Sequence, residues 1–67
     1  AKEYHLTQSE LRVLALLVDG QGNARIAEQL VISPSTVRFH VTNIIRKLGV
    51  ANRTEAAALA VRRHVVS

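Results

Sequence analysis

The sequence predicts an all-α fold: a small four-helix, bundle-like domain with a helix-turn-helix inside it. Three observations carry this expectation. Apolar residues recur at spacings of three and four in four separate segments, and no stretch alternates with the period of a strand. Helix-stopping and helix-starting residues stand between those segments, at Gly20, Ser33-Pro34, Gly49 and Asn52. A short amphipathic segment, a tight Val31-Ile32 connection and a longer amphipathic segment also follow one another, which is the order of a helix-turn-helix.

The first helix is expected over about 8–19. Thr7 is a good N-cap, and Glu10 three residues later completes a capping box. Leu6 and Leu11 flank the cap at the spacing of a hydrophobic staple. Leu11, Leu14, Leu17 and Val18 are read as the inward face, Leu16 as an ordinary exposed apolar residue, and Gly20 as the stop. The second helix is expected over 23–30, with Ile26, Ala27 and Leu30 inward and Ile32 plugging the core from the turn. The third is expected over 34–48. Ser33 caps it, and Pro34 suits the first helical position, where the missing N–H costs nothing. Val37, Val41, Ile44, Ile45 and Leu48 make one apolar stripe, and Gly49 ends it. The fourth is expected over 53–63, capped by Asn52 with Glu55 three positions on. Ala56, Leu59 and Ala60 face inward, while Ala57, Ala58 and Val61 form a second face of small residues.

Composition narrows the function. A chain of 67 residues is one domain with a small core. It has no cysteine, which excludes disulfides and thiolate metal sites, and His5, His40 and His64 lack a zinc-ligand spacing. No metal or cofactor is expected. No apolar run approaches the ~20 residues of a membrane span, so the domain reads as soluble, cytoplasmic and not membrane-bound. It begins with Ala1 rather than Met, which points to a piece excised from a larger protein or to a processed product. Net charge is +4, and its distribution is more telling than its size. No acid occurs between Glu28 and Glu55, whereas Arg38, Arg46, Lys47 and Arg53 all do. Segregated positive charge is what a polyanion binder needs, because Lys and Arg release counterions from phosphates.

At ~100° per residue, the side of the third helix opposite its core stripe carries Ser35, Phe39, Thr42 and Arg46, flanked by Arg38 and Asn43. These side chains suit base edges in a major groove. Arg can donate twice to guanine, Asn can pair with adenine, Ser and Thr can donate or accept, and Phe can touch a thymine methyl group. Phe39 also has a plainer reading, packing on a loop or a neighbouring molecule. Arg46 and Lys47 suit phosphate contacts or, equally, the negative end of the helix dipole. Arg53 opens the fourth helix, where the dipole disfavours a cation, so an external anion or a structural bond is expected there. His40, at the edge of the stripe, reads as a packed, hydrogen-bonded histidine.

The run Leu6-Thr7, Glu10, Val13-Leu14, Gly20, Asn23, Ile26-Ala27, Leu30, Ile32-Ser33, Thr36-Val37, His40-Val41, Asn43-Ile44, Lys47-Leu48-Gly49-Val50 and Arg53-Thr54-Glu55-Ala56 closely resembles the LuxR/FixJ-type helix-turn-helix domain. The resemblance covers almost the whole chain. It implies a DNA-binding domain over residues 1–67, placed at the C-terminus of a response regulator of a two-component system or of an autoinducer receptor. It implies transcriptional control through the third helix on double-stranded DNA, and a homodimer through the fourth helix on inverted-repeat sites. Base-reading roles are implied for Arg38, Phe39 and Thr42, with Ser35 beside them. Backbone roles are implied for Thr36, Asn43 and Lys47, with Asn23, Arg25, Arg46 and Arg53 as further candidates. The dimer face is then Ala57, Ala58 and Val61, and a nucleoid-bound regulator of this kind has RNA polymerase as a further partner. Three departures matter. Gly22 stands where Ser or Thr usually caps the second helix. Ala24 and Arg25 stand where a basic and an acidic residue are common, so Arg25 replaces a phosphate contact otherwise made at position 24. Phe39 is bulkier than the usual occupant.

A protein-interaction or dimerisation module is the alternative, since the alanine face of the fourth helix permits close helix approach. The acid-free basic stretch favours DNA over it. An enzyme, or a small-molecule site, is the weakest reading. The core leaves little room for a pocket, and Gly20-Gln21-Gly22 lacks the strand and further glycine of a nucleotide loop.

Overall fold

The computed structural model describes residues 4–65, so the two ends of the expected 1–67 domain lie outside the described residues. Four helices follow in order: α1 (Gln8–Val18), α2 (Asn23–Leu30), α3 (Pro34–Leu48) and α4 (Arg53–Arg62). The helices α1 and α4 each end one residue before the sequence-based expectation; the other bounds agree.

The starts are set by local chemistry. Thr7 Oγ1 accepts from the Glu10 N–H at 3.1 Å, and Glu10 Oε1 accepts from the Thr7 N–H at 3.0 Å, closing the capping box. Ser33 and Asn52 accept in the same way from the N–H groups of Thr36 and Glu55. Gly22 gives α2 no side-chain cap.

The ends share one device. Each helix closes with a residue in the left-handed region, and the next N–H reaches back five residues. The four bonds are Gln21 to Leu16 at 3.1 Å, Ile32 to Ala27 at 3.0 Å, Val50 to Ile45 at 3.2 Å and Val65 to Ala60 at 2.9 Å. The left-handed residues are Gly20, Val31, Gly49 and His64. This closure satisfies carbonyls that a helix end leaves orphaned. After α2, α3 and α4 the reaching residue is apolar (Ile32, Val50, Val65), and each packs partly against the core. The helix-turn-helix corner is therefore built from Val31 and Ile32, one strained and exposed, the other folded in.

Val31 is the outlier. A β-branched residue at φ 58° crowds its own backbone, and the residue is 89% exposed, so no packing compensates. Val31→Asn is expected to stabilise the domain by about 1 kcal/mol, because Asn tolerates this conformation. That corresponds to a rise in thermal midpoint of roughly 4–8 °C for a domain of this size. An unchanged or lower midpoint would show that the corner carries no strain.

The core consists of Val13, Leu14 and Leu17 of α1, Ile26 and Ala27 of α2, Val37, Val41, Ile44 and Leu48 of α3, and Ala56 and Ala60 of α4. The helix α1 packs on both α3 and α4, while α2 packs on α3. This two-sided clasp corrects the inward face expected for α1. Its buried arc is Glu10, Val13, Leu14 and Leu17, while Leu11 and Val18 lie at one half-buried edge. Leu16 is half-buried against the core on the other edge rather than exposed. On the remaining helices Leu30, Ile45 and Leu59 are half-buried partners of the core rather than part of its centre. No described helix is long and apolar enough to cross a membrane.

Candidate nucleic-acid interface

The inward stripe of α3 anchors it, and its other sides are thereby presented outward. Ser35, Arg38, Phe39, Thr42 and Arg46 are all exposed; Thr36 and Asn43 are half-buried on a flank. Phe39 is 63% exposed, and its only aromatic neighbour is the adjacent His40 ring at 5.9 Å among the described residues. Burial of the ring against a loop, the plainer expectation for Phe39, is thus not what the fold does with it.

Two arginines on this face are held by residues one turn earlier. Arg38 Nη2 donates to Ser35 Oγ at 3.2 Å, and Arg46 Nη2 donates to Asn43 Oδ1 at 2.9 Å. Such exposed bonds add little stability, but they narrow where each guanidinium fork points. Arg46 and Lys47 do occupy the last turn of α3, where the dipole favours cations.

The two residues then part company. Lys47 Nζ donates to Glu10 Oε1 at 2.7 Å and to the His5 carbonyl at 3.1 Å. Glu10 is 4% exposed. Burial pushes its carboxyl up, but hydrogen bonds from Lys47 and the Thr7 backbone, with the Lys47 charge, outweigh this and hold it below the usual carboxylate value. Besides its place at the dipole end, the Lys47 amine bonds a carboxylate 37 residues away and ties α3 to the start of α1.

Arg53 and Asn23 are also placed together. Arg53 Nη1 donates to Asn23 Oδ1 at 2.6 Å, and Nη2 to the Gln21 carbonyl at 3.3 Å. Of the two options open for Arg53, the structural bond is the one seen. It pins the start of α2, the end that Gly22 leaves without a side-chain cap, to the start of α4. Arg53→Ala is expected to cost about 1 kcal/mol of stability, since a half-buried, charge-assisted bond is lost. Urea unfolding checks this, and an unchanged midpoint would show that the bond is idle. Arg25 is exposed and meets Glu28 only at 3.8 Å. On α4, Ala57 is half-buried while Ala58 and Val61 are exposed, Val61 by 55%.

One expectation fails at His40. It packs, being half-buried, but its Nδ1 is buried with no hydrogen-bond partner among the described residues. The ring lines a small cavity with Ser9 and Arg12 of α1. Neither that cavity nor the Glu10–Lys47 pair was legible beforehand, because both join residues far apart in the chain.

A four-helix domain with an anchored third helix and a polar, cationic outer face is common to several kinds of DNA-binding protein. Comparison with known proteins narrows the choice. The profile of "Bacterial regulatory proteins, luxR family" matches residues 4–60. The chain belongs to the luxR family. It is similar to the transcriptional regulatory protein LiaR of Bacillus subtilis (strain 168), with 47% identity over 62 residues, which is 92% of this chain and 29% of LiaR. It is similar to the transcriptional regulatory protein LnrK of the same organism, with 53% identity over 57 residues, 85% of this chain and 26% of LnrK. The structure of the transcription factor GerE superposes with a TM-score of 0.84 at 40% identity, covering 92% of each chain. This luxR-family chain is therefore a helix-turn-helix DNA-binding domain of a transcriptional regulator, and its family is one of transcription factors rather than enzymes. It spans less than a third of the length of LiaR and LnrK.

Proposed function

We propose that this luxR-family domain reads a specific double-stranded DNA sequence by laying α3 in the major groove, as a homodimer on an inverted repeat. The observation that carries the proposal is the outer face of α3: Ser35, Arg38, Phe39 and Thr42 stand exposed on a helix whose opposite side is sealed in the core. Side chains in the first turns of such a helix reach base edges when it enters the groove. Thr36, Asn43 and Arg46 are assigned to the DNA backbone, and Arg25 to an accessory phosphate. Asn23 and Arg53 act on the backbone only through the fixed start of α2, and Lys47 acts by holding α3 in place. Exposed Val61 and Ala58, with Ala57 beside them, form the dimer face. They present little area, so DNA rather than the protein contact stabilises the pair.

Residues 1–67 are, in this proposal, the DNA-binding part of a longer cytoplasmic regulator of the response-regulator kind, which acts on RNA polymerase at its promoters. Selection from a random duplex pool tests the core of the proposal. An enriched inverted repeat, with affinity falling steeply as salt rises, supports dimeric base readout. Uniform, salt-sensitive binding would reduce the domain to a backbone binder. No binding at low salt would favour a protein-interaction module.

A further inference from the structure

One flank of α3 meets α1 through Lys47, which bonds Glu10, and through His40, beside which lies a cavity of about 70 Å³ lined by Ser9, Arg12, Leu30, Ile32 and His40. We propose that this cavity, through Ser9, Arg12 and His40, is an oxyanion site that seats one phosphate of the DNA backbone. The inference rests on the DNA-binding reading above and extends it from α3 to α1.

Five observations carry it. The polar lining can donate hydrogen bonds from a guanidinium, an imidazole and a hydroxyl, and no carboxylate lines the cavity. Glu10, next to Ser9 in sequence, is turned away and engaged with Lys47 and Thr7. Arg12 is exposed and its side chain has no hydrogen bond or ion pair among the described residues, a state it shares only with Arg62 and Arg63 at the end of α4, whereas Arg25, Arg38, Arg46, Arg53 and Lys47 all have one. The imidazole has one committed end. Its Nδ1 is buried and unpartnered among the described residues, so a bond from the ring to a group in the cavity falls to Nε2. Leu30 and Ile32 complete the lining with apolar surface, which strengthens a charge contact by lowering the local dielectric.

Position points to DNA as the source of the oxyanion. A helix about 10–12 Å across fills a major groove about 12 Å wide, so phosphates run along both of its flanks. On this flank Lys47 is neutralised by Glu10, which leaves Arg12 as the cation next to the groove wall. The cavity has room for a few oxygen-sized groups, enough for the non-bridging oxygens of one phosphate.

The test uses the selected duplex with the parent chain, Arg12→Gln, Ser9→Ala and, as a control with the same loss of charge, Arg62→Gln. Each is titrated at several salt concentrations, and again on duplexes in which single phosphates are replaced by neutral methylphosphonates. Arg12→Gln is expected to weaken binding roughly 5-fold and to lower the salt slope by about 0.9, the loss of one phosphate contact. Ser9→Ala should weaken binding less and leave the slope nearly unchanged. One methylphosphonate position should penalise the parent and Arg62→Gln but add nothing to Arg12→Gln. Arg12→Gln binding like the parent would overturn the site while leaving the α3 reading intact. A slope change with no single coupled phosphate would also overturn it, showing only a diffuse field. A parent chain that selects no duplex at all would overturn both.

Discussion

Glu10→Gln is expected to remove about 2–3 kcal/mol of stability, a large share of the roughly 3–10 kcal/mol that a domain of this length holds. The variant keeps the volume and the bond to the Thr7 N–H but leaves the Lys47 ammonium without its counter-charge in a mostly enclosed place. Breaking a buried pair from one side is costly because the remaining charge has been taken out of water. Lys47 is 27% exposed at its side chain, which sets the effect toward the lower end. Lys47→Met should cost a similar amount, and the double variant less than the sum of the two. Acid has the same effect as the Gln substitution. The Glu10 carboxyl titrates below its unfolded value of 4.5, so its contribution is present above that pH and is lost as pH falls through the folded value. Urea midpoints of parent and Glu10→Gln, followed from pH 7 down to pH 2, should therefore converge in acid. A gap that persists unchanged at pH 2 would mean that the ion pair does not stabilise the fold. Duplex titrations of Lys47→Met separate this role from a phosphate contact: the salt slope should stay at the parent's value, because the amine is already neutralised inside the protein.

The four helices were legible because their boundaries are written within a few residues. Thr7 with Glu10, Ser33 with Pro34, Asn52 with Glu55, and the glycines at 20 and 49 each act on adjacent backbone, and the structure uses every one of them. The stop at Val31 was not legible, since a β-branched residue disfavours a left-handed backbone, and a histidine such as His64 takes that conformation too seldom to mark a stop by itself. The outer face of α3 followed from its periodicity alone, because one apolar stripe fixes what points away. On α1 the same logic misplaced the stripe, because two helices pack on it from different sides and bury an arc centred on Glu10, Val13, Leu14 and Leu17. Glu10 shows the limit most clearly. Its capping role is local and readable, but its bond to Lys47 spans 37 residues and exists only once α1 and α3 have docked. The Arg53–Asn23 bond, 30 residues apart, and the Ser9–Arg12–His40 cavity are of the same kind.

Arg38→Ala is expected to weaken binding to the preferred duplex by about 2 kcal/mol, close to 30-fold, and to erase the preference at one base pair. Arg38 lies in the first turns of α3 and is exposed beside the outward strip, and its guanidinium is steered by Ser35 one turn earlier. A planar fork held in one direction can donate twice to a guanine edge, which a flexible ammonium cannot imitate, so Arg38→Lys should restore nonspecific affinity without restoring the preference. Ser35→Ala removes the steering bond but leaves the fork in place, and a loss of only a few-fold is expected if orientation is its main role. If Ser35 itself touches a base, its loss should instead change preference at a second position. Competition against a panel of singly substituted duplexes reads these effects apart. A uniform drop in affinity for every duplex would place Arg38 on the backbone and leave Phe39 and Thr42 as the readers. A drop confined to duplexes carrying one particular guanine would fix the register of α3 in the groove, and from that register the bases facing Phe39 and Thr42 follow by the rise and turn of the helix.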